Sequence, residues 1–487
     1  MKRFLFVYFT ISLLFISCEN KKKAAITSSE IKTIENGLLS AYQIKGDSLI
    51  NYNILDRMEH YKVPGVSIAV VENGEIKWAK GYGIANTDTK TKVDINTIFQ
   101  AGSISKPVAA LSALKLVEEG KLDLDTDVNI YLKDWQIPAN KYTASEKVTL
   151  RRLLTHTAGM TVHGFPGYEQ KDSFPTIKQV LNGQGNTPKV FVDTIPNSIW
   201  RYSGGGYTLM EKIVEDTSKQ TLDVYMAENF LTPLGMSNST YEQPLSAKYH
   251  SNTSAAYNSK GEIAEGFWNN YPEQAAAGLW TTPTDLAKYA IEVQQILVGK
   301  ENGVLSKKTI DQMLTKHKNN WGLGPSLQWE KDSLIFRHGG KNRGFTNELI
   351  SFANKGSAVI IMTNADNGGK LISEILRSIS KKYNWGINKQ KVIETIEIPI
   401  EKLTNLTGKY KLNFQVNEIG DYLIDVKIEN NKLVIIDPNN GETNILTATK
   451  DLNFIDLASV DTIKFTATNI SKTVVINNRF TFNKMED

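Results

Sequence analysis

The sequence predicts an α+β protein whose strands come from both ends of one long domain and share an antiparallel sheet. A helical lobe is inserted between them, and a small all-β domain follows. Three observations predict this. Near the start, Val66 to Val71 and Glu75 to Gly81 are apolar runs with strand character, joined by Asn73-Gly74, a dipeptide that two-residue hairpins favour. Much later, Leu334 to Arg337, Asn347 to Phe352 and Ala358 to Thr363 repeat that character, while Lys106 to about Leu297 carries mostly helical spacing. After Pro399 helical spacing stops, and short β-rich segments run on to Phe482.

In chain order, Lys2 and Arg3 precede an apolar stretch from Phe4 to Ile16, the pattern of an export signal and too short to span a bilayer. Ser17 and Cys18 follow, and Cys18 is the single cysteine among 487 residues. No internal disulfide can form, so the domains must be held by their cores. Leu14-Phe15-Ile16-Ser17-Cys18 resembles the lipidation box of bacterial lipoproteins, with Phe15 where leucine is usual. That resemblance implies a lipid on Cys18 and a flexible polar tether from Glu19 to about Glu30. An exported, membrane-anchored protein, periplasmic or on the outer membrane, is therefore expected. The boundaries expected are a signal over 1–18, a linker over 19–45, a catalytic domain over 46–390 and an accessory β domain over 400–487.

Within the long domain, Leu49 to Tyr61 has helical spacing and Leu371 to Tyr383 reads as a closing helix. In the last domain, Tyr422 to Glu429, an Asn430-Asn431 turn and Lys432 to Asp437 form a hairpin. That domain contains no histidine or cysteine and reads as a packing module. The net charge is only +4, with no basic stripe interleaved with aromatics, which argues against a nucleic-acid partner.

The chemistry begins at Gly102-Ser103-Ile104-Ser105-Lys106. Pro107 to Glu119 reads as a helix, with Pro107 tolerated in its first turn and Gly120 as its stop. Residues three apart at a helix start share a face, so Lys106 can reach Ser103. A serine hydroxyl needs a base to take its proton, and a lysine whose pKa is lowered by burial can serve. Two glycine-rich segments follow, Arg201-Tyr202-Ser203-Gly204-Gly205-Gly206-Tyr207 and Phe336-Arg337-His338-Gly339-Gly340.

With these residues the chain resembles the β-lactamase-related serine hydrolases: class C β-lactamases, penicillin-binding DD-peptidases and related esterases. Their Ser-x-x-Lys, Tyr-x-Asn or Tyr-Ser-x, and Lys- or His-x-Gly motifs match Ser103/Lys106, Tyr202/Ser203 and His338/Gly340, in that order. Leu153 to Met160 and Ala277 to Leu286 resemble further family segments, so the likeness runs over roughly residues 45–385. It implies a β-lactamase/transpeptidase-like fold in which Ser103 attacks a carbonyl while Lys106 and Tyr202 handle its proton. It also implies an oxyanion hole made by the backbone N–H groups of Ser103 and Lys341, beside Gly340. Ser203 would help bind substrate, and His338 would hold Tyr202 or the substrate. His156 reads as structural. The seven-residue gap from His156 to His163 is not a metal spacing, so neither metal nor cofactor is expected.

Two positions depart from the antibiotic-hydrolysing pattern. Gly204 stands where an asparagine amide usually orients a substrate amide, and glycine cannot make those bonds. His338 stands where a lysine usually attracts a substrate carboxylate; Arg337, Lys341 and Arg343 are candidates to replace that charge. The expected function is an acyl-enzyme hydrolase of an ester, a D-amino-acid amide or a peptidoglycan-like peptide. The alternatives are a β-lactamase or penicillin-binding protein, and a non-catalytic binding protein on the same fold.

Overall fold

The computed structural model describes residues 27–415, 420–438, 442–467 and 472–485; the expected export signal and Cys18 lie outside them. The described residues fall into two compact units, one of 27–31 with 54–372 and one of 32–53 with 373 onward. Among the described residues no helix is long and apolar enough to cross a membrane.

The first unit is built on a seven-stranded sheet. Strands β1 (Gly65–Glu72) and β2 (Glu75–Asn86) form the expected hairpin, and Asn73 and Gly74 both adopt the left-handed conformation its tight turn requires. The short β3 (Thr91–Lys92) continues from β2. From the far end of this unit come β4 (Ser326–Glu330), β5 (Ser333–Asn342), β6 (Phe345–Phe352) and β7 (Ala358–Thr363). The strand order is β3-β2-β1-β7-β6-β5-β4. The two ends therefore meet where β7 runs antiparallel to β1, with Ile360 opposite Ala69. Two features exceed the sequence expectation. Strand β4 was not expected, and β5 runs on through His338–Asn342, because Gly339 and Gly340 weaken the strand signal there.

Between the strand sets lie the helices α1 (Ser105–Glu118), α2 (Gly204–Ser218) and α3 (Pro283–Leu297). Helix α1 is buried nearly all round, with Ala109, Ala110 and Ala113 inside the core, and stops before Gly120 in a left-handed turn. Helix α2 starts on Ser203, whose Oγ accepts the Gly206 N–H at 2.9 Å. Helix α3 starts on Thr282 with Pro283 in its first turn.

The second unit holds a closed barrel of β8 (Gly408–Leu412), β9 (Leu423–Glu429), β10 (Lys432–Asp437), β11 (Glu442–Lys450), β12 (Asn453–Asp456), β13 (Thr462–Ala467), β14 (Lys472–Ile476) and β15 (Phe480–Lys484). Strand β8 pairs with both β9 and β15, so no edge is left open. Alternate side chains such as Ile424, Val426, Phe454, Phe465 and Phe482 fill the interior. Closure is what the sequence did not disclose. Within the linker expected over 19–45, residues 27–35 are helical, and Tyr42–Ile44 pairs in parallel with Lys391–Ile393. A short helix, Ile400–Thr404, precedes the barrel where no helical stretch was expected.

Candidate active site

The site is assembled where β5 meets the turn that opens α1. That 3₁₀ turn, Gly102–Ile104, carries Ser103. Gly102 has a left-handed φ of 56°, and a Cβ there would lie 2.5 Å from the Lys341 nitrogen. A Cβ on Gly340 would lie 1.9 Å from the Ala101 carbonyl oxygen. These two glycines let strand and turn approach at backbone distance.

The sheet register aims a donor into that contact. The β5–β6 hairpin closes over Arg343 and Gly344, with Asn342 opposite Phe345 and Gly340 opposite Asn347. In an antiparallel pair these alternate residues bond to the partner strand, so Gly339 and Lys341 turn their N–H groups the other way. On that side β4 pairs only as far as Arg337. The Lys341 N–H therefore faces the Ser103 turn. Polar side chains fix the junction: Asn347 donates to the Gln100 carbonyl at 2.8 Å, and Asn342 donates to Gln100 Oε1 at 2.9 Å and the Ala277 carbonyl at 3.1 Å.

Lys106 is 2% exposed. Its Nζ lies 3.1 Å from Ser103 Oγ and donates to the Ala276 carbonyl at 2.7 Å. Burial lowers the ammonium to a pKa of about 7, with no carboxylate to offset it. The Gln274–Gly278 turn that supplies the Ala276 carbonyl is steadied by Glu211, which accepts the Ala275 N–H at 2.8 Å. Burial raises the Glu211 carboxyl well above its usual value and pushes Glu273 up to about 8, so both favour their neutral forms.

Tyr202 places its ring 4.9 Å from Lys106 Nζ. Its hydroxyl is buried and makes no hydrogen bond of normal geometry. Burial raises its pKa, and the nearby Ser103 hydroxyl offsets only part of that rise. His156 packs its ring 4.2 Å from Tyr202 and accepts the Ser203 N–H on Nδ1 at 3.1 Å. Burial above all, then the Lys106 charge, keeps His156 neutral. Trp321 closes the aromatic group, 5.9 Å from Tyr202 and 5.6 Å from His338 between ring centres.

His338 is also buried, and its ring centre lies 6.2 Å from that of Tyr202. Its Nδ1 lies 2.6 Å from the Gly339 carbonyl oxygen. A carbonyl only accepts, so Nδ1 carries the proton and Nε2 is a bare acceptor, buried and without a partner. Burial, with the charge of Lys106, lowers the imidazolium pKa to about 3. The lysine usual at this position is a cation whose donors face the site; this histidine is uncharged and leaves only the acceptor Nε2 unpartnered.

Side-chain contacts bear on the candidate cations and on Ser203. Arg337 pairs with Glu348 at 2.8 Å, Lys341 with Asp366 at 2.6 Å and Arg343 with Glu169 at 3.1 Å, so each candidate replacement cation is already neutralised. Ser203 is buried and spends its hydroxyl on capping α2 and donating to the Thr161 carbonyl at 2.8 Å, which makes it a helix cap rather than a substrate contact. The His163 ring lies 4.9 Å from that of Tyr202. Among the described residues no cluster that could hold a metal ion is present.

The sequence did not single out Ala276, Glu211 or Trp321. Ala276 adjoins a segment that resembled the family; Glu211 sits on a helix and Trp321 outside the strands and helices, and no local signal marked them.

Residues 50–378 match the family described as Beta-lactamase, well over half of the chain. Protein flp of Staphylococcus aureus (strain MRSA252) is 29% identical over 37% of this chain and 35% of its own length. The chain thus spans about a third of that relative. The teichoic acid D-alanine hydrolase of Staphylococcus aureus is 25% identical over 57% of this chain and 65% of its own. Among solved structures, the octameric penicillin-binding protein homologue from Pyrococcus abyssi has a TM-score of 0.61 at 22% identity, covering 88% of this chain and 98% of that one. The D-amino acid amidase from Ochrobactrum anthropi SV3 has a TM-score of 0.54 at 20% identity, covering 68% and 98%. The likeness of these structures is one of fold, and the family model agrees with it: the chain belongs to the β-lactamase family of serine hydrolases.

Proposed function

We propose that the protein is an exported, lipid-anchored hydrolase that forms an acyl-enzyme on Ser103 with esters, D-amino-acyl esters or amides, or peptidoglycan-like peptides. One observation carries the reading: a buried lysine with a pKa of about 7, 3.1 Å from a serine hydroxyl. Near neutral pH a large fraction of Lys106 is the free amine, whereas burial holds Tyr202 protonated. Lys106 is thus the base. As it takes the Ser103 proton, Oγ bonds to the substrate carbonyl carbon, and the carbonyl oxygen becomes an oxyanion held by the N–H groups of Ser103 and Lys341. Collapse breaks the bond to the leaving group, which takes a proton from Lys106 relayed through Tyr202. Water then attacks the acyl-enzyme with Lys106 again as base, releasing the acid and restoring Ser103.

The charge pattern favours neutral or cationic substrates over carboxylates. His338 offers an uncharged acceptor, and Arg337, Lys341 and Arg343 are each paired with an acid. A penicillin or a terminal D-alanine carboxylate finds no free cation on β5. D-Alanyl esters carry an ammonium instead, in keeping with the activity named for the teichoic acid relative. Export and anchoring rest on Lys2, Arg3, the apolar stretch and Cys18.

The test is labelling of wild type and Ser103→Ala with a fluorophosphonate and with a fluorescent penicillin, alongside turnover of an ester and D-amino-acyl panel. We expect a Ser103-dependent fluorophosphonate adduct, turnover, and weak penicillin labelling. Penicillin acylation followed by fast release would instead make the protein a β-lactamase. No adduct and no turnover would leave a binding protein on an enzyme fold.

A further inference from the structure

The loop before α2 occupies the space that a side chain on Gly204 would need. A Cβ on Gly204 would lie 2.9 Å from Phe165 Cε2 and 3.1 Å from the His163 carbonyl oxygen. The loop is clamped there. The N–H groups of Gly204 and Gly205 donate to the carbonyls of His163 and Val162, each at 3.0 Å, and Ser203 Oγ donates to the Thr161 carbonyl at 2.8 Å. A Cβ on Gly205 would in turn strike the Thr161 carbonyl oxygen at 2.8 Å. Val162 sits at a φ of 62°, a left-handed conformation that β-branched residues avoid. A strained residue held by several bonds marks a backbone whose position is imposed by its surroundings. Just before Gly204, the His163 ring lies against Tyr202.

From this geometry we infer that Phe165 is the acyl-group selectivity residue of the hydrolase, its ring filling the place of a side chain at 204, two residues after Tyr202, and narrowing the room for bulky acyl groups there. The inference rests on the proposed Ser103 chemistry and deepens it. An amide side chain holds a long acylamino substituent by hydrogen bonds; an aromatic ring offers none and takes its volume. Two glycines in succession are what allow the loop to seat on the start of α2. The selectivity is thus written in the pair Phe165 and Gly204 rather than in either alone.

The experiment uses full-length protein with p-nitrophenyl acetate, D-alanine p-nitrophenyl ester and p-nitrophenyl phenylacetate. Phe165→Ala is expected to raise the kcat/KM ratio of phenylacetate to acetate at least tenfold. Gly204→Asn is expected to lower the melting temperature through the clash, and Phe165→Ala/Gly204→Asn to recover most of that loss. The double variant is also expected to label faster with fluorescent penicillin than either single variant. An equal effect of Phe165→Ala on all three esters would overturn the selectivity role. A double variant no more stable than Gly204→Asn would overturn the packing premise. Failure of wild type to turn over any ester would strike the Ser103 chemistry instead, and the melting temperatures would still judge the packing.

Discussion

Around Ser103, several buried polar atoms without partners lie together; in the barrel, Asp456 Oδ2 is such an atom against an interior that is otherwise mainly aliphatic and aromatic. The Tyr202 hydroxyl and the Nε2 atoms of His156 and His338 are all buried and make no hydrogen bond of normal geometry, and the charge of a lysine stripped of water acts on both histidines. Each such group costs about 1–3 kcal/mol. In the barrel, by contrast, the Tyr410 hydroxyl is satisfied by the Leu406 carbonyl at 2.8 Å, and side chains such as Phe454, Phe465 and Val474 need no partner. The first region gives up stability to leave groups ready for a substrate. The second is held mainly by its apolar interior, and among the described residues it gathers no comparable cluster of unpartnered polar atoms.

The sharpest way to break this contrast is at Ser103. Replacing it with alanine should abolish the fluorophosphonate adduct and cut kcat/KM about 10⁴-fold or more. Turnover retained within tenfold of wild type would mean that the unsatisfied cluster serves something else.

Lys106→Met tests the same cluster through pH. It should lower kcat/KM by about 10²–10⁴-fold, the usual worth of a positioned base. The folded-state pKa lies below the ordinary lysine value, so between about pH 7 and 10.5 the unfolded chain binds more protons. Wild-type stability should therefore rise with pH across that window, and its cost should be complete below pH 7. Denaturant titrations should show Lys106→Met losing ground to wild type as pH climbs from 7 to 10. A constant difference would mean that Lys106 is not desolvated.

How much of this was legible beforehand follows from where the information sits. Ser103, Lys106, Tyr202 and His338 lie in local motifs, and the hairpin turn at Asn73-Gly74 is local as well. The sheet joining both ends followed from apolar runs of equal character. Ser203 misled because a polar side chain at a motif position looks like a ligand contact, and only the Gly206 N–H shows it to be a cap. Barrel closure depends on β8 meeting β15, a pairing between distant residues that alternation within either strand does not encode. Likewise, only the folded chain shows that Glu348, Asp366 and Glu169 neutralise three cations, since none of those acids is a sequence neighbour of its partner.

On the barrel side, Phe465→Ala should cost about 3–5 kcal/mol by opening a cavity in a filled interior. It should shift the urea midpoint while the Ser103 labelling rate at 25 °C changes less than about twofold. A parallel collapse of labelling would erase the distinction between the two regions. The smallest effect belongs to Ser203→Ala, which should lose about 0.5–2 kcal/mol of stability as a removed helix cap, with KM nearly unchanged. A tenfold rise in KM at unchanged stability would return Ser203 to the substrate site.

The most direct measurement is the rate at which a fluorophosphonate phosphonylates Ser103, with loss of fluoride, as a function of pH, read by intact mass. With Lys106 as the base at a pKa of about 7, the rate should rise through neutral pH to a plateau and lose that inflection in Lys106→Met. His338 titrates near 3 and should add no inflection between pH 5 and 9. A rate still climbing above pH 10, with the same profile in Lys106→Met, would contradict the account and hand the proton to another group.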